Sequence, residues 1–66
     1  MAASDVLREA RKSAGLNQTE LGMALGYPEA TAQKCISNWE TGYRPIPRKH
    51  IKALAALLHI DPVDLL

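Results

Sequence analysis

The side chains best equipped for chemistry in this chain are cationic, and they are concentrated in one stretch. Between Ala32 and Lys52 stand Lys34, Arg44, Arg48, Lys49 and Lys52 against Glu40 alone, a local balance of +4 in a chain whose overall net charge is +1. A cluster of that kind attracts anionic surfaces. The last six residues carry Asp61 and Asp64 and no base, so charge is polarised along the sequence. Groupings that would support covalent or metal chemistry do not occur. There is no Ser/His/Asp, Cys/His, paired-carboxylate or phosphate-loop arrangement, which argues against an enzyme. Cys35 is the one cysteine, so no internal disulfide can form, and it reads as a small packing residue beside Ile36. His50 and His59 stand nine residues apart and make no zinc spacing, so neither a metal nor a cofactor is expected.

The elements that must carry these groups follow from length and periodicity. A chain of 66 residues reads as a single domain over residues 1–66, and one so small buries only about 60% of the surface its unfolded form exposes. No room is left for an enclosed active-site cavity. An apolar share of 47% with 23% charged residues fits a compact globular unit. The N-terminus lacks a signal-peptide pattern, and no stretch approaches roughly 20 consecutive apolar residues, so a cytoplasmic location and no membrane are expected.

Leu7, Ala10 and Ala14 fall on one stripe of a first helix, capped by Ser4 or Asp5 and ended by Gly15. Asn17 and Glu20, three residues apart, form a capping-box pattern that opens a second helix running to about Leu25 and stopped by Gly26. Leu21 and Leu25 face inward, and Gly22 allows another helix to come close. A third helix places Ile36 and Trp39 on its buried face and ends before Gly42, leaving Gln33, Lys34, Ser37 and Asn38 outward. Pro47 suits the first turn of a fourth, in which Ile51, Leu54, Ala55 and Leu58 repeat at i, i+3, i+4, i+7. Asp61 and Pro62 open a short fifth helix with Asp64 near its positive end. No strand signal competes.

Two compact signatures sit on this frame. The first is Gly15, Leu16, Asn17, Gln18, Thr19, Glu20, Leu21, and the second is Ile36, Ser37, Asn38, Trp39, Glu40, Thr41, Gly42. With the run Leu54 to Leu58 and the tail Ile60, Asp61, Pro62, Val63, Asp64, Leu65, Leu66, they make residues 4–66 resemble the Cro and cI phage-repressor family of helix-turn-helix proteins, also called the xenobiotic-response-element type. The resemblance implies an all-α, compact five-helix lambda-repressor-like DNA-binding domain in bacteria or a phage-infected host.

It also implies roles. Gln18, at the start of the second helix, would donate its amide to a DNA phosphate, helped by that helix's positive end. Gln33, Lys34, Ser37 and Asn38 would face the major groove, where an amide pairs with adenine and a lysine reaches guanine acceptors. Arg44, Arg48 and Lys49 would clamp backbone phosphates and supply affinity without sequence information. Arg11 and Glu40 correspond to a pair that ties the first helix to the reading helix. Trp39 belongs to the core, and Tyr43 is left without an assignment.

One departure from the family bears on mechanism. Gly26 to Trp39 spans 13 residues, four more than the family usually has. Those four could lengthen the turn as Tyr27, Pro28, Glu29 and Ala30, with Thr31 capping the reading helix. They could equally add one turn to that helix, since four residues is close to the 3.6 of a helical turn and nearly preserves its phase. The balance falls on the longer loop, because Pro28 holds Tyr27 extended and Thr31 is the better cap. An extra turn would instead bring Thr31 and Glu29 toward DNA.

The leading functional expectation is a sequence-specific transcriptional regulator of the repressor type, bound to a double-stranded DNA operator as a homodimer through its C-terminal helices. Leu57, Ile60, Val63, Leu65 and Leu66 exceed what a small core can absorb and would form the dimer surface. The alternative is an antitoxin-type interaction module that binds a protein toxin and autoregulates its operon. It is disfavoured because such proteins usually carry an added partner-binding segment, and none follows the last helix.

Overall fold

The computed structural model describes residues 2–66. Four α-helices, Ala3–Ser13 (α1), Gln18–Ala24 (α2), Glu29–Glu40 (α3) and Arg48–Leu58 (α4), are followed by one 3-10 turn at Pro62–Leu65. The expected fifth helix is thus that single turn, capped by Asp61, whose carboxylate accepts from the Val63 amide at 3.0 Å. No strand occurs among the described residues.

α1 begins two to three residues earlier than a cap at Ser4 or Asp5 would place it. Ala2 occupies the cap, and its carbonyl accepts from the amides of Asp5 and Val6. Ser4 and Asp5 lie inside the first turn, where Asp5 meets the positive end of the helix and accepts from Arg8 at 3.2 Å. Ala14 is at the C-terminal cap and exposed rather than on the buried stripe. α2 carries the reciprocal box: the Glu20 amide donates to Asn17 Oδ1 at 2.7 Å, and the Asn17 amide to Glu20 Oε1 at 2.8 Å. Its end is a Schellman turn. Gly26 takes φ 101°, and the Tyr27 amide reaches back to the Gly22 carbonyl at 3.1 Å.

The preference for a long turn before the reading helix is overturned. α3 starts at Glu29, with Pro28 as its cap in extended conformation and with Thr31 inside the helix. Pro28 closes the turn instead of lengthening it: its carbonyl accepts from the amides of Thr31 and Ala32 at 3.0 and 2.9 Å. Proline restrains the residue before it and leaves those after it free to be helical. Ala30 and Ala32 favour the helix. The deciding contact is tertiary, because Ala32 is fully buried against Gly22 of α2, and a loop would forfeit it.

Pro47 stands just outside α4 as its cap, not in its first turn. Ile51, Leu54, Ala55 and Leu58 are all buried, and His59 ends the helix in the left-handed region at φ 57°. The core joins every element: Leu7 from α1, Leu21 from α2, Ile36 and Trp39 from α3, Ile51, Leu54 and Leu58 from α4, and Leu65 from the terminal turn. Leu65 is 2% exposed and Ile60 packs on the core, so neither is surplus. Leu57, Val63 and Leu66 remain exposed.

Candidate nucleic-acid interface

α3 divides along its length. Ala32, Ile36, Trp39 and Glu40 form the inner edge, while Gln33 and Lys34 are exposed and Ser37 and Asn38 half-buried on the outer side. Cys35 is half-buried and packed on the core. Helical phase sets Lys34, Ser37 and Asn38 apart from the inner edge, whereas Gln33, seven residues before Glu40, shares that residue's phase and lies at the border between the two sides.

A chain of polar contacts ties α1, α2 and α3 together beneath that outer side. Arg11 donates through Nε and Nη2 to the two carboxylate oxygens of Glu40, and through Nη1 to the Leu16 carbonyl at 2.9 Å. The Arg11 side chain is 11% exposed and that of Glu40 is 3%. The hydrogen bond to Glu40 is the main reason that the Arg11 guanidinium holds its proton more firmly than usual, with the Glu40 charge adding to it and burial opposing. Glu40 Oε1 also accepts from Gln18 Nε2 at 3.1 Å, and Gln18 Oε1 accepts from Gln33 Nε2 at 3.1 Å. Gln18 is therefore half-buried and engaged inside the protein, with one amide hydrogen left over. Its link to Gln33 spans 15 residues, a pairing that no local pattern signals.

The three basic residues offered as phosphate clamps are exposed, Arg44 in the loop after α3 and Arg48 and Lys49 in the first turn of α4. Arg44 and Arg48 line a groove with Trp39, Gly42 and Ile46, at the end of α3, where the Arg44 amide bonds to the Asn38 carbonyl at 3.1 Å. Lys49 lines a different depression with Leu25, Gly26, Tyr27 and His50. Tyr43 is 76% exposed, with the Arg44 guanidinium 6.0 Å from its ring centre.

His50, whose spacing from His59 makes no zinc pair, closes an aromatic cluster. Its ring centre lies 5.4 Å from that of Tyr27 and 5.7 Å from that of Trp39. With the ring proton on Nδ1, the Tyr27 hydroxyl donates to Nε2 at 2.7 Å. Burial, and then the charge of Lys49, lower the His50 pKa below the ordinary 6.5. The unfolded chain therefore binds this proton more readily, so the contribution to stability is present above about pH 6.5 and is lost as pH falls through the folded-state value. Urea midpoints followed by Trp39 fluorescence are expected to be lower at pH 5.5 than at pH 7.5. His50→Phe should flatten that dependence, and an unchanged slope in the variant would contradict the assignment.

Two helices joined by a tight turn, the second with a polar outer side and an inner edge locked into the core, define a helix-turn-helix protein. Residues 7–65 match the helix-turn-helix family, and the chain belongs to its Cro/cI type, a family of DNA-binding transcription regulators that is not typically enzymatic. No curated protein and no solved structure matches the chain. No helix among the described residues is long and apolar enough to cross a membrane.

Proposed function

We propose that this chain is a repressor-type regulator that lays the outer edge of α3 in the major groove of a short DNA operator. The observation that carries the reading is the contrast across α3: its inner edge is held by the core and by Glu40, while Gln33, Lys34, Ser37 and Asn38 lie on its outer side. Gln33 and Asn38 can pair with adenine, and Lys34 can reach the acceptors of guanine. Gln18 holds the Gln33 amide through its own carbonyl, which lowers the conformational entropy that Gln33 would lose on meeting a base. The spare hydrogen of the Gln18 amide remains for a phosphate. Arg44, Arg48 and Lys49, exposed in the loop after α3 and the first turn of α4, supply the phosphate contacts. Repression needs only occupancy of a promoter, for which a compact domain suffices.

One copy reads few base pairs, so a dimer is part of the proposal. Its surface would be built from Leu57, Val63 and Leu66, which are exposed beside the terminal turn. Selection of bound duplexes from a random pool tests the reading. The expected winner is a palindrome with half-sites about 34 Å apart. Enrichment of no sequence overturns the regulator assignment, and a purely monomeric protein in equilibrium ultracentrifugation, with and without the selected duplex, overturns the dimer.

A further inference from the structure

We propose that the added first turn of α3 makes Thr31 a sequence-reading residue, extending each half-site beyond the base pairs reached by Lys34 and Asn38. The inference rests on the reading of α3 as the groove-entering helix. Thr31 stands three residues before Lys34 and seven before Asn38, so all three share one ridge of the helix. Ala30, four before Lys34 and seven before Ser37, is exposed beside it, and its methyl group is too small to shield the ridge. Glu29 does not belong to this ridge, because it stands seven residues before the buried Ile36 and follows the inner phase.

The turn is held in place at both edges. Ala32 is fully buried against Gly22, and Pro28 caps the helix with a carbonyl that accepts from the amides of Thr31 and Ala32. The Thr31 hydroxyl donates to that same carbonyl at 3.3 Å. With its hydrogen committed there, the side chain has a methyl group and an oxygen acceptor to offer. A methyl presented to the groove meets the 5-methyl of thymine, an apolar contact that the other bases cannot supply. One helical turn rises about 5.4 Å, which against about 3.4 Å per base step carries the contact one to two base pairs outward from those of Lys34.

Duplex selection with the wild type, Thr31→Ser and Thr31→Val separates the contributions. Serine keeps the hydroxyl and removes the methyl, and valine does the reverse. The wild type and Thr31→Val are expected to prefer thymine at the outermost position of each half-site. Thr31→Ser should lose that preference while keeping the inner bases, and should bind the wild-type duplex about fivefold more weakly, an effect absent when the outer thymine is replaced by uracil, which lacks the methyl. Identical outer bases for the wild type and Thr31→Ser, with inner preferences intact, would refute the role of Thr31 and leave the groove-reading account standing. No enrichment by the wild type would refute both.

Discussion

Glu40→Ala should remove a large share of the fold's stability. Removing one member of a buried ion pair costs about 3–5 kcal/mol, because the survivor is left desolvated and unpaired. At 66 residues the chain holds roughly 3–10 kcal/mol in all. Arg11 would keep only its bond to the Leu16 carbonyl, and Gln18 would lose the acceptor that orients it. The damage therefore reaches Gln33, two contacts away, through the Gln18 carbonyl. Replacing both charges, as Arg11→Met with Glu40→Leu, should restore most of the stability, since apolar residues of similar volume often substitute for a buried pair at no net cost. The double variant should fold yet discriminate poorly among duplexes, because Gln18 still has no anchor. Urea unfolding followed by far-ultraviolet circular dichroism provides the numbers. A loss below about 1 kcal/mol in Glu40→Ala, as for a solvent-exposed pair, would show that the contact is incidental.

Gly22→Ala is expected to destabilise by about 2 kcal/mol, although alanine is the better helix former by about 1 kcal/mol. A methyl group at position 22 would fall 2.6 Å from both Cβ and the carbonyl oxygen of Ala32, and 2.7 Å from its Cα. Two of those atoms are backbone and cannot rotate away, so α3 must retreat from α2. Retreat would also stretch the hydrogen bond between Gln18 and Gln33, which crosses the same interface. Combining Gly22→Ala with Ala32→Gly removes the Cβ clash and leaves the backbone clashes, so only partial recovery is expected. If Gly22→Ala melts at the wild-type temperature or above it, the helices are not in the close contact on which the first turn of α3 depends.

How much could be read in advance depended on the distance over which each feature is decided. The capping box of Asn17 and Glu20 is local, and spacing alone reveals it. The buried stripe of Ile51, Leu54, Ala55 and Leu58 is similarly explicit, because periodicity and burial coincide along one helix. Residues 27–31 went the other way. Their local signals, a proline and a good capping threonine, favoured a loop, whereas the burial of Ala32 on Gly22 joins positions ten apart and outweighs a single cap. The bond from Gln33 to Gln18 and the cluster of Tyr27, Trp39 and His50 join residues 11 to 23 positions apart, which no local pattern pairs. Leu65 and Leu66 are identical in type, and only packing in three dimensions buries the first and exposes the second.

The central claim is that the outer edge of α3 reads bases while the surrounding bases of the protein hold phosphates. The most direct measurement compares affinity for the selected duplex and for a scrambled one, across a series of salt concentrations, in the wild type, Asn38→Ala and Arg48→Ala. Asn38→Ala is expected to lower the ratio of the two affinities by about tenfold with an unchanged salt slope. Arg48→Ala should weaken both complexes alike and flatten the slope by about 0.9. Equal weakening of both duplexes by Asn38→Ala, with the ratio intact, would contradict the account.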